Sequence, residues 1–233
     1  MTLKEVFENY SLLEIKKAVK DLIDVENIEQ KNKDAIDIIC VILKQNLDLV
    51  PKAGSKSIQP IVAFVNKYVN GCRSRASMRI GKKSATIPDK IINTIIITRY
   101  PELTAKNVEN IVEGHKIAMV AENILGYLLE EYIYNSLPSD WYCCWGETIK
   151  SVDFVSSSGK LLQIKNRSNS ENSSSSSVRK GTTIEKWYRV NATTGETNWQ
   201  KLNEIVAGMN ASEAAFVTFV KQTLTDNPEC MFG

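Results

Sequence analysis

The stretch SVDFVSSSGKLLQIK, residues 151–165, decides the fold. Two apolar segments, 149–155 and 161–165, flank the short turn SSSGK and read as an antiparallel pair of strands. Along the first, Ser151, Asp153 and Val155 point one way, and Val152 and Phe154 the other. Along the second, Gln163 and Lys165 share one face, and Leu162 and Ile164 share the opposite, buried face. If Val155 pairs with Leu161, Asp153 falls opposite Gln163, with Lys165 beside them. A slip of one residue would scatter this group to both faces.

Working outward, residues 104–136 form the longest helical pattern, with Thr104 as N-cap, Asn107 three residues on, and Pro138 ending the run. His115, Ala118, Glu122, Leu125 and Leu129 recur on one stripe, so Glu122 interrupts a largely apolar face. A buried carboxylate is costly unless it is paired or holds a cation. Glu130 and Glu131, near the helix end, read as surface residues, and His115 reads as structural. Immediately after the second strand comes SNSENSSSSS (168–177), a polar segment read as a functional loop inside the domain.

Upstream, residues 2–49 and 58–70 show helical periodicity around the loop PKAGSKS (51–57). The segment TIPDKIINTIIITRY (86–100) suits either a strand or a short helix. Downstream, WYCCWG (141–146) reads as a short buried strand, in which Cys143 and Cys144 serve packing. Short strands, a helix near 199–208 and an apolar segment at 214–220 follow. The four tryptophans read as core or edge aromatics. The fold class expected is α/β, a central mixed sheet flanked by helices with an added N-terminal helical region. The domains expected are 1–103, mostly helical with a basic segment, and 104–233, the catalytic core.

The 233-residue chain carries 29 basic and 27 acidic residues, a net of +2. That total conceals an alternation. Residues 51–100 hold ten basic residues against one acidic, and residues 101–150 hold three against eight. This excludes a uniformly charged tail protein and allows a folded chain with basic faces. Five cysteines without a CxxC pair exclude a zinc ribbon and fit reduced thiols. A single histidine excludes a His-rich metal site. Apolar runs are too short to span a membrane and no secretory signal is visible, so the expected location is the cytoplasm, with no membrane partner.

Asp153, Gln163 and Glu122 around Lys165 suit a hard divalent cation, and Mg²⁺ with oxygen ligands is the expected cofactor. Such an ion neutralises charge on a phosphodiester and lowers the pKa of a bound water. Lys165 would orient or help deprotonate that water.

A helix with a Glu, a strand carrying Asp, then a strand carrying (D/E/Q)xK resembles the PD-(D/E)xK nuclease core. Val152-Asp153 stands for its first half and Gln163-Ile164-Lys165 for its second, with an amide in place of the usual acid. If Glu122 is misplaced, Glu171 is the spare acid. The strings GHKIAMVAENILGYLLEEYI (114–133) and LQIKNRSNSENSSSSS (162–177) narrow the resemblance to the SinI-like type II restriction endonucleases. That resemblance implies a bacterial, homodimeric, Mg²⁺-dependent enzyme of a restriction-modification system. It also implies that both strands of double-stranded DNA are cut at GGWCC, where W is A or T.

Duplex DNA must be held by cations on phosphates and read by Arg, Lys and amides at base edges. Arg73, Arg75, Arg79, Lys82 and Lys83 lie in a basic run without an acid and are candidates for phosphate contact. Arg167, Asn169, Asn172, Arg179, Lys180 and Arg189 lie around the loop that follows the catalytic strand and are candidates for base or phosphate contact. Two other readings are a repair or structure-specific nuclease on the same fold, and a non-enzymatic DNA-binding module built on the basic segment.

Overall fold

A computed structural model describes residues 1–52, 59–81, 89–168 and 182–231. Lys82, Lys83, Asn169, Asn172, Arg179 and Lys180 lie outside the described residues, as does Glu171. The described residues form an α/β structure of eight α-helices and one four-stranded mixed sheet.

The helices begin where their sequences supply caps. Helices α1 (Leu3–Asn9), α2 (Leu12–Ile23) and α6 (Ala105–Ser136) each open with a capping box, made by Thr2 with Glu5, Ser11 with Glu14, and Thr104 with Asn107. Helix α4 (Pro60–Arg73) starts on a proline, whose missing N–H costs nothing at that position. The N-terminal helices bury stripes at helical spacing. Ile15, Val19 and Ile23 do so on α2, and Ile36, Ile39, Cys40 and Leu43 on α3 (Gln30–Gln45).

Segment 86–100, open to two readings in sequence, forms helix α5 (Lys90–Arg99), capped by the Asp89 side chain on the Ile91 N–H. A helix satisfies its own backbone polar groups, whereas a strand needs a neighbour to do so.

The sheet order is β1 (Trp141–Cys143), β2 (Phe154–Ser156), β3 (Leu161–Arg167), β4 (Ile184–Val190). β1–β2 and β2–β3 are antiparallel, and β3–β4 is parallel. The pairs Val155–Leu161 and Phe154–Leu162 set the hairpin register. A parallel pair requires a long crossover, so the polar segment after β3 belongs to the connection to β4. The first strand of the hairpin is shorter than the alternation suggests. Ser151 takes a left-handed conformation with φ 56°, and residues 149–152 turn before the strand begins.

One hydrophobic cluster runs from Leu3 to Cys230. Gly71 on α4 lies against the turn at 145–147, where Gly146 has φ 68°. A Cβ on Gly71 would stand 2.3 Å from the Gly146 nitrogen, so only glycine permits this approach. Tyr132, Trp187, Trp199 and Phe216 pack as an aromatic group with centroids 5.2 to 5.7 Å apart. This group joins α6 and β4 to helices α7 (Trp199–Ile205) and α8 (Glu213–Asp226). All five cysteines are free and buried.

Candidate active site

The hairpin and helix α6 line an open cavity of about 280 Å³. The helix contributes Asn123, Gly126, Tyr127 and Glu130, which fall on one face at i, i+3, i+4 and i+7. The strands contribute Asp153, Ile164, Lys165 and Asn166. Gly126 matters because it has no side chain. A Cβ there would meet no heavy atom within 4 Å, so the position opens into the cavity.

Asp153 is fixed by its backbone as well as its carboxylate. Its N–H donates to the Leu162 carbonyl at 2.9 Å, and its carbonyl accepts from Cys144 N–H at 2.8 Å. The Ile164 N–H donates to Asp153 Oδ2 at 2.7 Å. The carboxyl pKa is pushed up to about 6, because burial outweighs that hydrogen bond and the nearby Lys165 ammonium. Glu130 is pushed further, to about 8, first by burial and then by the Asp153 charge. Its Oε1 accepts a weak hydrogen bond from Cys143 Sγ at 3.7 Å.

Among the described residues, two acids with raised pKa values stand beside one ammonium in this cavity. Among the described residues no group of three or more His, Cys, Asp and Glu comes together. Two carboxylates line the cavity, and such a lining fits Mg²⁺, an ion that keeps waters and takes substrate phosphate oxygens alongside one or two carboxylates.

Sequence reasoning placed Asp153 and Lys165 here, and the structure brings them together in one cavity. Gln163 lies on β3 one residue from the cavity-lining Ile164, but it is 3% exposed and does not line the cavity. Glu122 lies elsewhere. Its side chain is exposed and absent from the cavity wall. Of the expected stripe His115 and Ala118 are also exposed and only Leu129 is buried, because the first half of α6 extends beyond the sheet. Glu122 stands two turns before Glu130, about 12 Å along the axis.

Glu130, which reads in sequence as a surface residue near the helix end, lines the cavity. The signal was present in the spacing, since Asn123, Gly126, Tyr127 and Glu130 form a stripe of polar and small residues in a helix otherwise turning apolar. Glu131, also read as surface, is buried and accepts from the Ser77 N–H at 2.9 Å and from the Ser77 hydroxyl.

The candidate DNA contacts divide. Arg75 is largely buried. It pairs with Glu29 at 2.8 Å and lies over the Tyr134 ring, so it holds the fold rather than facing solvent. Arg189 is likewise committed, to Asn166 Oδ1 at 3.0 Å and to Glu213. Arg73 is exposed and pairs with Glu26. Arg79 lies over the Tyr127 ring, 3.7 Å from its centroid, and its Nε and Nη1 are buried without a hydrogen-bond partner. Arg73 and Arg79 line a second cavity of about 600 Å³ that shares Asn123 and Tyr127 with the first. Arg167 is exposed at the end of β3.

No described helix is long and apolar enough to cross a membrane. The family model of the SinI restriction endonuclease matches residues 18–226. The type II restriction enzyme Eco47I of Escherichia coli is 35% identical over 218 residues, covering 86% of this chain and 94% of that protein. The type II restriction enzyme SinI of Salmonella infantis is 30% identical over 212 residues, covering 78% of this chain and 92% of that protein. With the match spanning nearly the whole chain and including the cavity residues, the chain belongs to the SinI restriction endonuclease family.

Proposed function

We propose that this protein is a type II restriction endonuclease that uses Mg²⁺ to hydrolyse phosphodiesters in both strands of duplex DNA at GGWCC. It acts as a homodimer in the bacterial cytoplasm, as part of a restriction-modification system. The observation that carries this reading is the meeting of Glu130, Asp153 and Lys165 in one cavity, two acids held above their usual pKa beside one cation. The site sequence rests on likeness to the SinI family alone.

Asp153 and Glu130 would hold the ion, with Gln163 beside Asp153 in the ladder as a polar neighbour. When bound, Mg²⁺ supplies a Lewis acid that lowers the pKa of water and offsets phosphate charge. The chain's own residues do the rest. Asp153 is immobilised by the Ile164 N–H, so its position costs little at the moment of reaction. Lys165 orients the attacking water and stabilises negative charge on the non-bridging phosphate oxygens. A new P–O bond forms to the water oxygen, one P–O ester bond breaks, and the departing oxygen takes up a proton.

We assign the division of labour by segment. Residues 1–103 supply backbone contacts through Arg73, Arg79, Lys82 and Lys83. Residues 104–233 supply chemistry and base readout through Arg167, Asn169, Asn172, Arg179 and Lys180. Phosphate contacts give register and salt dependence, and base-edge contacts give specificity.

Incubation of the purified protein with plasmid and Mg²⁺ tests the whole reading. Discrete fragments whose ends map to GGWCC, abolished by EDTA, are expected. An intact plasmid overturns the enzyme, and fragments ending elsewhere overturn the site sequence alone.

A further inference from the structure

Helix α5 and the first half of α6 form a hairpin that stands away from the core. None of the ten α5 residues is buried among the described residues. Across residues 90–123 only Val108 is buried. Yet the hairpin is strongly apolar, with Ile91, Ile92, Ile95, Ile111, Ile117 and Met119 all exposed. Ile95 is 61% exposed. Ile91, Ile92 and Ile95 fall within about 100° of one another around α5 and make one stripe, with the exposed Ile97 off it. Contiguous apolar surface of this kind marks an interaction site.

We propose that this hairpin is the interface through which two copies of the chain associate. Charge and area select the partner. Residues 89–123 carry four basic side chains (Lys90, Arg99, Lys106, Lys116) against five acidic (Asp89, Glu102, Glu109, Glu113, Glu122). Lys106 and Lys116 are paired within the hairpin, to Glu109 and Glu113. A near-neutral surface of mixed sign repels neither itself nor an identical copy, and it lacks the positive excess that DNA or an anionic lipid surface requires. Under two-fold symmetry each patch meets its own copy, so an apolar stripe rimmed by both signs is self-complementary.

The projecting part of α6 is about 27 Å long, and two helices side by side span about 20 Å. That is on the order of 500 Å² in plan, and more with side-chain relief, near the ~800 Å² per partner of a standard interface.

The choice of a second copy rests on the proposed cutting of both strands. The same helix carries Ile117 and, about 20 Å further along its axis, Glu130. An interface on the hairpin therefore fixes the spacing between two catalytic cavities through one continuous helix.

The test is the oligomeric state of the full chain by light scattering and sedimentation. The wild-type protein is expected to be a dimer at micromolar concentration. The double variant Ile95→Lys/Ile117→Lys is expected to weaken association about 100-fold or more, with unchanged far-ultraviolet circular dichroism, because both residues are exposed in the single chain. If that variant misfolds, Met119→Cys replaces it. Every native thiol is buried, so labelling of this one thiol should be slow in the dimer and fast on dilution. A wild-type monomer, a dimer unaffected by the lysines, or labelling independent of concentration overturns the interface. Failure of the function reads differently, as a dimer held by this hairpin that leaves DNA intact with Mg²⁺.

Discussion

Glu130 on helix α6 and Asp153 before strand β2 face one cavity, and the Asp153 charge helps push the Glu130 carboxyl up to about 8. Among the described residues these two acids share the cavity with Lys165, and burial makes the ionised form of each costly to the fold.

The sign of the pH effect follows. The folded pKa of Glu130 lies above its ordinary value of 4.5, so its contribution is fully present below pH 4.5 and is lost as pH rises through about 8. Asp153 adds the same sign in a lower window, between 3.8 and about 6. In EDTA, urea unfolding of the wild-type protein should show stability falling from pH 5 to 8.5, and Glu130→Gln should flatten that slope. Mg²⁺ should restore stability at pH 8 in the wild type and not in Glu130→Ala. A slope identical in wild type and Glu130→Gln would remove Glu130 as the titrating group.

Catalytic roles separate by substitution. Asp153→Ala, Lys165→Ala and Glu130→Ala should each reduce plasmid cleavage by about 10²–10⁴-fold while gel-shift binding persists. Glu122→Ala should cut within about twofold of the wild type, since its side chain is exposed outside the cavity. Equal losses from Glu122→Ala and Glu130→Ala would return the earlier residue to the site.

Gly126 sets activity against stability. A helix-interior glycine costs about 0.8–1 kcal/mol relative to alanine. Gly126→Ala should therefore raise the unfolding midpoint, because its Cβ meets open space. That same Cβ points into the cavity, so cleavage should fall, and Gly126→Leu should abolish it. Retained activity in Gly126→Leu would show that substrate does not enter there.

The arginines of the basic run predict two different phenotypes. Arg75→Ala removes a largely buried guanidinium, paired with the exposed Glu29 carboxylate and lying over the Tyr134 ring, and should destabilise the protein by roughly 1–3 kcal/mol in chemical denaturation. Arg73→Ala leaves stability nearly unchanged and should reduce the salt dependence of DNA binding by about one unit of slope. A stability loss in Arg73→Ala as large as in Arg75→Ala would contradict this division.

Much of this site was legible in sequence for local reasons. Hairpin register follows from alternation and turn length, and both are short-range properties, so Val155 facing Leu161 could be read directly. The bounds of α6 follow from Thr104, Asn107 and Pro138, which act on adjacent backbone groups. The identity of the helical acid was not legible in the same way. Periodicity assigns a face to each residue, but it does not say which third of a long helix the sheet covers. Glu122 and Glu130 are equally polar in sequence, and only the docking of the C-terminal third of α6 against β3 separates them.

By itself, then, the sequence determined the α/β elements, their caps, the hairpin that presents Asp153 and Lys165, and the family to which the chain belongs. The tertiary structure alone decided which acid completes the cavity, that β3 and β4 run parallel, and that Arg75 and Arg189 hold the fold. The physical reason is range. Caps, turns and alternation are set by neighbours a few residues apart, whereas burial, a raised carboxyl pKa and a guanidinium locked to a distant carboxylate arise only when segments far apart in the chain share one low-dielectric space.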